Sequence, residues 1–501
     1  MRHLGLWIIS ALSMLLLLAC SSGGNSSEDV LPEDGDWIED EQESDLDQES
    51  AETDGDSEEN ASCVTTGCTD DRYCDTQDGL CKSCTEDNHC SLEGQEPDIF
   101  RICQNGHCRS VVCPAILLPT IPEIGVLYTP GRSVETLFDG NGRFFVDRVE
   151  VFPIAEKPAD DLDKAIDAGY NIVMNTQPCC SQPSEFDAQV SFLQAAQNVK
   201  DGRGLYAAVF GVWPPAQAVG GGNASLLNQI TERAQIKSLL FWLGTDRIQT
   251  TGWMEDLDEA LSFLFKVDDA QVLVFNEDSG FSIPTIESKI NEAMTLADPD
   301  SSSGLSIKSL VLAAVNVDGG DPSSEVKRVL SARPGKPVWA RVGFDAQSTT
   351  SQLVALSLHA LANGATGIVY EPVQSDATQK TLDIARRAAR FIRDREVYWL
   401  AGSQGLTPSS ITPQNQGLAL YESNYNNKIH FHLAVNATAQ PVSANVGLPY
   451  SGDNLPYCRA EATGTEGDLA LTREASFAVE LGPWEVRVFQ TSSANSPGEQ
   501  P

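Results

Sequence analysis

The sequence predicts an α/β protein built on a (β/α)8 TIM barrel, with an N-terminal disulfide-rich module and a C-terminal β-sandwich. Short apolar runs alternate with amphipathic stretches over residues 114–396, a pattern typical of βαβ units and a parallel sheet. Nine cysteines are concentrated in residues 62–113, which favours a disulfide scaffold. Strand-like alternation occupies residues 397–490, which favours a sandwich of antiparallel strands.

The charge of the chain argues against nucleic acid as a partner. Among 501 residues, 71 are Asp or Glu and 33 are Lys or Arg, giving a formal net charge of −38. Proteins that bind polyanions use Lys and Arg to neutralise phosphates. Only six histidines are present and they are scattered, which argues against a His-rich metal site. We therefore predict no metal and no other cofactor.

The first residues have the pattern of a secretory signal. Arg2 and His3 precede an apolar run over residues 4–18, which is short for a membrane span. The run ends in the sequence LLAC at 17–20, which resembles a bacterial lipobox. The resemblance implies removal of residues 1–19 and acylation of Cys20, which would attach the chain to a membrane. Ser21, in place of an Asp that would favour inner-membrane retention, favours the outer membrane or cell surface. The alternative is an ordinary signal peptide that happens to end in Cys.

An acidic tether and a short tail flank the folded regions. Residues 28–59 hold 17 acidic side chains and no Lys or Arg, so residues 20–61 are expected to be extended and disordered. A calcium-binding tract is the alternative, but the segment lacks a regular Asp-x-Asp-x-Asn-Gly loop. Residues 491–501 are expected to form a frayed tail.

The cysteine-rich module resembles short modules in lipoproteins of myxobacteria and their relatives. Its cysteines are Cys63, Cys68, Cys74, Cys81, Cys84, Cys90, Cys103, Cys108 and Cys113. Half of a zinc site could be formed by the C-x-x-C at 81–84, but a second half with His is missing.

The number of cysteines predicts a link between domains. Without Cys20, twelve cysteines remain, and the module holds an odd number of them. At least one module cysteine must therefore stay free or pair with Cys179, Cys180 or Cys458. Because a bond between the adjacent Cys179 and Cys180 would be strained, we predict disulfides that join the module, the central domain and the C-terminal domain.

Eight apolar runs predict the barrel strands. Their count, spread over about 250 residues, is that of a (β/α)8 barrel. They are residues 144–152, 171–174, 204–210, 239–243, 272–275, 310–315, 337–344 and 367–370. A doubly wound open sheet is the alternative. It would more usually have a glycine-rich turn after its first strand, where this chain has Phe152-Pro153-Ile154.

Four segments resemble glycoside hydrolases of the β-galactosidase-like sort, which have a barrel followed by a β-sandwich. They are NGRFF at 141–145, DLDKAIDAGYN at 161–171, LLFWLGTD at 239–246 and ALANGATGI at 360–368. The order and spacing of the segments carry the likeness, which covers roughly residues 140–490. The resemblance implies a carbohydrate substrate and hydrolysis by two carboxyl groups.

The candidate site residues follow the predicted strands, because barrel enzymes place their chemistry at the carboxyl ends of their strands. One carboxyl group would protonate the leaving oxygen and the other would act as nucleophile or base. The catalytic candidates are Asp246, Glu277, Asp345 and Glu371, with Glu277 preferred as the acid and Asp246 or Asp345 as its partner. The substrate-binding candidates are Trp213, Trp242 and Asp318. Alternatively, such acids cap helices or pair with Arg.

Two departures from the resembled family leave a second function open. That family has Asp-Glu-Pro after the fourth strand, where this chain has Asp246-Arg247-Ile248, and Arg does not donate a proton near neutral pH. The seventh strand also lacks the Glu that serves as nucleophile in that family. The chain is therefore expected to be either a surface glycoside hydrolase with rearranged acids or a catalytically inactive barrel. An inactive barrel would serve in glycan binding, adhesion or envelope structure.

Three histidines are expected to have structural roles. His359 lies on a predicted amphipathic helix and is expected to pack. His430 and His432 alternate with Phe431 and Leu433 on a predicted strand, so they should line one face of the sandwich. A two-His metal site there is the alternative.

Overall fold

The computed structural model describes the module, the barrel and the C-terminal sheets in part. The described residues are 68, 73–75, 77, 80–90, 99–104, 106–112, 136–138, 142–146, 149–157, 161–175, 183–197, 199, 206–211, 240–243, 272–276, 308–317, 320–332, 334–374, 378–400, 410–414, 417–425, 429–448, 457–461, 469–472 and 476–493. The predicted signal peptide and tether lie outside them. Within them, no helix is both long and apolar enough to cross a bilayer.

The module consists of two β-hairpins and a 3-10 helix over Asp87–Cys90. Its strands are β1 (Tyr73–Asp75), β2 (Leu80–Lys82), β3 (Ile99–Gln104) and β4 (His107–Val112). Three disulfides join these elements: Cys68–Cys81, Cys84–Cys103 and Cys90–Cys108. The predicted disulfide scaffold is thus confirmed for these six cysteines. The last two bonds overlap along the chain, and Cys103 and Cys108 are register partners, so the bonds fasten both strands of the second hairpin, next to its turn, to the segment before it.

The sulfur atoms of Cys84, Cys90 and Cys108 lie within 4.8 Å of one another. All three belong to disulfides, so they offer no thiolate to a metal. Cys74 and Cys458 are also disulfide-bonded, to partners outside the described residues. The C-terminal domain is therefore cross-linked through Cys458, as the cysteine count predicts, but the identity of its partner stays a prediction.

A small antiparallel sheet precedes the barrel and corrects the first predicted barrel strand. It contains β5 (Thr136–Phe138), β6 (Phe144–Val146) and β7 (Val149–Glu150). The apolar run at 144–152 is therefore two short strands that fold back on each other, and the first barrel strand begins after Pro153. Phe144 is buried and packs edge-on against Trp339 of the barrel, with the ring centroids 6.1 Å apart.

Eight parallel strands form a closed barrel. They are β8 (Ile154–Glu156), β9 (Ile172–Met174), β10 (Tyr206–Gly211), β11 (Leu240–Leu243), β12 (Val272–Asn276), β13 (Lys308–Val315), β14 (Val338–Phe344) and β15 (Gly367–Pro372). Each strand pairs with the next, and β15 pairs with β8. That last pairing excludes the open doubly wound sheet.

Helices follow several of these strands, as the alternating pattern predicts. Those described are α1 (Leu162–Asp167), α2 (Pro183–Gln197), α3 (Ser324–Ala332), α4 (Thr350–Ala362), α5 (Gln379–Arg393) and α6 (Glu396–Leu400). Thr349 and Gln352 form a capping box at the start of α4, satisfying amide groups that have no partner inside the helix. Gly169 and Gly364 have φ values of 87° and 98°, so each ends a helix in the left-handed region that glycine tolerates.

The barrel strands have two buried faces. Side chains that face the helices belong to the main hydrophobic core, and they include Ile154, Val173, Val342, Ile368 and Tyr370. The alternate side chains fill the barrel interior and are fully buried, and they include Ala155, Met174, Leu312, Trp339 and Val369. This alternation follows from the two-residue period of a strand.

A buried ion pair joins the first barrel strand to α5. Arg386 donates from Nε to Glu156 Oε1 over 2.8 Å and from Nη2 to Oε2 over 3.3 Å. The side chains are 6% and 1% exposed. A bidentate pair in this setting fixes the orientation of both side chains.

A second buried arginine lies at the C-terminal end of the same helix. Arg393 pairs with Glu396 over 2.6 Å and donates to the backbone oxygens of Gly169 and Phe152. It thereby holds the entry to β8 against the loop that precedes β9.

Two antiparallel sheets form the C-terminal region. The smaller contains β16 (Ser410–Thr412), β19 (Val442–Gly447) and β22 (Ser476–Leu481). The larger contains β17 (Leu418–Tyr425), β18 (Ile429–Asn436), β20 (Tyr457–Glu461), β21 (Leu469–Thr472) and β23 (Val486–Ser493). Residues of both sheets share one hydrophobic cluster. The last strand continues past residue 490, into the segment predicted to be a tail.

The alternation of β18 places its histidines together, as predicted. Phe431 and Leu433 belong to the main core, which also includes Tyr398 of α6. On the other face, His432 is buried between Glu422, 3.2 Å from its Nδ1, and the Thr491 hydroxyl, 2.9 Å from its Nε2. Burial, with the neighbouring His432, lowers the pKa of His430.

Arg386→Met should lower the free energy of unfolding by about 3–5 kcal/mol, because it leaves Glu156 buried without its partner. Arg387→Met is the matched control on the same helix. Arg387 is exposed, and among the described residues its Nε donates to the Thr350 hydroxyl over 3.3 Å, so its loss should cost less than about 1 kcal/mol. Denaturant unfolding measures both changes, and equal effects would contradict the assigned role of the pair.

Candidate functional site

The carboxyl ends of the eight strands meet at one rim, because all eight run parallel in a closed ring. We call this rim the barrel mouth. Of the predicted catalytic acids, Asp345 and Glu371 are described: Asp345 directly follows β14 and Glu371 lies within β15. The other two lie outside the described residues. Glu277 comes directly after β12 and Asp246 three residues after β11.

Glu371 lies between two cations. The Lys157 ammonium is 2.6 Å from its Oε1, and Arg341 Nη1 is 3.5 Å from its Oε2. The side chain of Glu371 is 23% exposed, whereas that of Lys157 is 5% exposed. We call Lys157, Arg341 and Glu371 the mouth cluster.

Strand alternation explains why the mouth cluster converges. Glu156 points outward to Arg386 on α5, and Tyr370 points outward to Ser357 on α4, with 2.8 Å between the hydroxyl oxygens. Their successors, Lys157 and Glu371, therefore face the barrel interior. The backbone amide of Lys157 donates to Tyr370 O over 3.0 Å, so the ladder between β8 and β15 continues to this level.

A glycine lies beside the carboxylate. Gly343 of β14 is the register partner of Glu371 in β15, so both residues belong to the same face. A β-carbon built at Gly343 would meet, among the described atoms, only the Val373 side chain, at 3.2 Å. Val373 is 71% exposed. The exposed Val373 side chain therefore lies next to the position that a side chain at residue 343 would take.

Asp345 is engaged in a turn. Its Oδ1 accepts hydrogen bonds from the Gln347 amide at 2.9 Å, from the Ser348 amide at 2.9 Å and from the Ser348 hydroxyl at 3.0 Å. The bond from Gln347, with those from Ser348, lowers the pKa of this carboxyl. Asp345 thus shapes the loop that leads from β14 into the capping box of α4. Because its pKa is lowered, the carboxyl is ionised near neutral pH and holds no proton for a general acid to donate.

The substrate-binding predictions lie largely outside the described structure. Trp213 and Asp318 are not among the described residues. The backbone of Trp242 lies in β11 and pairs with Phe210 and Val274. Five of the cysteines predicted to be lipidated or disulfide-bonded also lie outside the described residues: Cys20, Cys63, Cys113, Cys179 and Cys180.

Sequence reasoning missed two members of the mouth cluster. The apolar run at 144–152 predicts the first barrel strand, so the sequence places Lys157 in a loop after that strand. Arg341 stands in the middle of the strand sequence VWARVGF. A cation in a strand that is otherwise apolar was the available signal, since such a charge is rarely buried without a partner.

The geometry of the mouth cluster suits binding. A carboxylate in contact with an ammonium group can accept further hydrogen bonds, because it has about four acceptor positions. The cluster therefore offers an oriented acceptor, Glu371, to the hydroxyl groups of a polar molecule in the mouth.

Comparison with known proteins finds similarity among solved structures alone. No protein-family model and no curated protein matches the chain. The similar structures include a GH30 endoxylanase from Clostridium papyrosolvens (12% identity, TM-score 0.38, covering 72% of this chain and 100% of the endoxylanase). A putative α-galactosidase from Bacteroides fragilis is 12% identical, with a TM-score of 0.40, and the match covers 67% of this chain and 75% of that protein. For α-galactosidase I from Mortierella vinacea the identity is 10% and the TM-score 0.38, and the match covers 62% of this chain and 94% of that protein.

Asp345→Ala should lower the free energy of unfolding by about 1 kcal/mol at neutral pH, because the turn loses its acceptor. Asp345→Asn keeps an acceptor oxygen and should lower the free energy of unfolding by less. Because the folded-state pKa is lowered, the stabilisation by Asp345 is present above the unfolded pKa of about 3.9. It disappears as the pH falls through the folded value. Denaturant unfolding at pH 7 and pH 3 checks this, and an unchanged Asp345→Ala variant at pH 7 would contradict it.

Proposed function

We propose that this protein is a lipid-anchored cell-surface protein whose glycoside-hydrolase-like barrel binds and hydrolyses a polysaccharide or oligosaccharide. The observation that carries the proposal is the convergence of Lys157, Arg341 and Glu371 at the mouth of a closed parallel barrel. Barrels of this kind assemble their sites from loops at the same rim. The order of sequence segments that resemble glycoside hydrolases supports carbohydrate as the ligand.

The contacts of the described acids narrow the choice of catalytic pair. The Asp345 carboxylate accepts the hydrogen bonds of its turn, and the Glu371 carboxylate pairs with Lys157 and Arg341. We therefore assign the reaction to Glu277 and Asp246, which follow adjacent strands of the barrel. Glu277 would protonate the glycosidic oxygen as its bond to the anomeric carbon breaks. Asp246 would attack that carbon or take a proton from the attacking water.

A second candidate function is glycan binding without turnover. Arg247 occupies the position at which the resembled family has its acid, and Arg does not supply a proton near neutral pH. In this case the barrel serves adhesion or envelope structure, and the mouth cluster still holds the glycan.

The proposed anchor is a lipid on Cys20, which would place the protein in the outer membrane or on the cell surface. Three disulfides in the module agree with an oxidising compartment outside the cytosol. The acidic tether over residues 20–61 would then hold the module and the barrel away from the anionic membrane surface.

Turnover by the full mature chain separates the two candidate functions. Reducing-end release from a panel of plant and bacterial polysaccharides should fall by about 100-fold or more in Glu277→Gln and in Asp246→Asn, while binding on a glycan array persists. Asp187→Asn, on the outer helix α2, is the matched control and should keep wild-type turnover. Binding without turnover in the wild type would support the second candidate, and neither binding nor turnover would overturn both.

Cys20→Ser should abolish lipidation, because serine lacks the thiol that is acylated. Radiolabelled palmitate should enter the wild-type protein and leave the variant unlabelled, with the variant released into the soluble fraction. Equal membrane association of both forms would contradict the proposed anchor.

A further inference from the structure

We propose that the mouth cluster is a subsite for an uncharged sugar, in which Glu371 accepts hydrogen bonds from adjacent hydroxyl groups and Lys157 positions it. This inference rests on the proposed function and deepens it, because it assigns the chemical class of the sugar at this place. It also gives Glu371 a binding role in place of the catalytic one predicted from the sequence.

The first observation is an acceptor with unused capacity. Glu371 Oε2 is buried and accepts no hydrogen bond from any described residue, since Arg341 approaches only to 3.5 Å. A carboxylate offers about four acceptor positions, and the contact from Lys157 is on the other oxygen. A buried oxygen without a donor is costly. A ligand hydroxyl would remove that cost.

The second observation is the missing side chain next to this acceptor. Gly343 pairs with Glu371 on the neighbouring strand and has no side chain. A β-carbon at this position would lie 3.2 Å from Val373 Cγ2, a tight contact, so the exposed Val373 side chain is the group that a ligand beside Glu371 would contact. A sugar ring seated over Gly343 would bring its hydroxyl groups to Glu371 and its apolar edge to Val373, a combination that suits the two faces of a pyranose.

The existing ion pairs favour an uncharged ring over an acidic one. The carboxylate of a uronate would compete with Glu371 for Lys157 and Arg341. Hydroxyl groups can donate to Glu371 without competing for its cations, so they leave both ion pairs in place.

The test measures binding of D-galactose, D-xylose and D-galacturonate to the full mature chain by saturation-transfer NMR. Glu371→Gln keeps the shape of the side chain and removes its charge, and Lys157→Met removes the ammonium group that positions it. Gly343→Val fills the space without changing any charge. Each variant should weaken binding of a neutral sugar by about tenfold or more.

Two ion pairs on the outer face of the barrel supply matched controls. Glu325→Gln breaks the pair with Arg328 at 2.7 Å, and Lys327→Met breaks the pair with Asp321 at 2.6 Å. Both should bind sugar as the wild type does. Thermal unfolding of every variant is recorded in parallel, and if Lys157→Met fails to fold, Glu371→Gln and Gly343→Val decide the outcome.

The outcomes separate the inference from the proposed function. Loss of neutral-sugar binding in the Glu371 and Gly343 variants, with unchanged controls, supports the subsite. Wild-type affinity in both variants overturns the subsite and leaves the proposed function standing. Tighter binding of galacturonate than of the neutral sugars overturns the assigned class. If the wild type binds no polysaccharide on the array, the proposed function fails and this inference fails with it.

Discussion

The bidentate ion pair between Glu156 and Arg386 lies at the seam where the last barrel strand meets the first. On the outer side of the seam it ties β8 to α5, with both side chains almost fully buried. On the inner side, Lys157, the residue after Glu156, reaches Glu371 of β15 at the mouth. The outward anchor Glu156 and the inward Lys157 are therefore successive residues of β8 and the turn that follows it. Holding one in place fixes the backbone that carries the other.

The same seam is stabilised at the amino end of β8. Arg393 and Glu396 form an ion pair, and both bind the backbone of Phe152, two residues before that strand. The main hydrophobic core extends from the helices of the barrel into the larger C-terminal sheet. The larger C-terminal sheet thus packs against α4 and α6, and Glu396 of α6 is one of the residues that bind the backbone just before β8.

Much of this architecture is readable from the sequence. Seven of the eight barrel strands fall within or beside the predicted apolar runs, because strands buried on both faces are nearly continuous in apolar residues. The cysteine spacing predicts the disulfide scaffold, and the alternation of His430 and His432 predicts their shared face.

The position of the first barrel strand is not predicted correctly, because β8 contains only Ile154, Ala155 and Glu156, too few residues to show a period. The preceding run at 144–152 is longer and more apolar, so the sequence predicts the strand there. The ion pair of Lys157 with Glu371 joins residues more than 200 positions apart, a relation that exists only after the barrel closes.

Recognition of carbohydrate at the mouth cluster can be decided by a crystal structure of the protein soaked with D-galactose. We expect a ring over Gly343, with two hydroxyl groups within hydrogen-bond distance of Glu371 and both ion pairs retained. A sugar bound elsewhere on the barrel or on the C-terminal sheets, with the mouth empty, would contradict it.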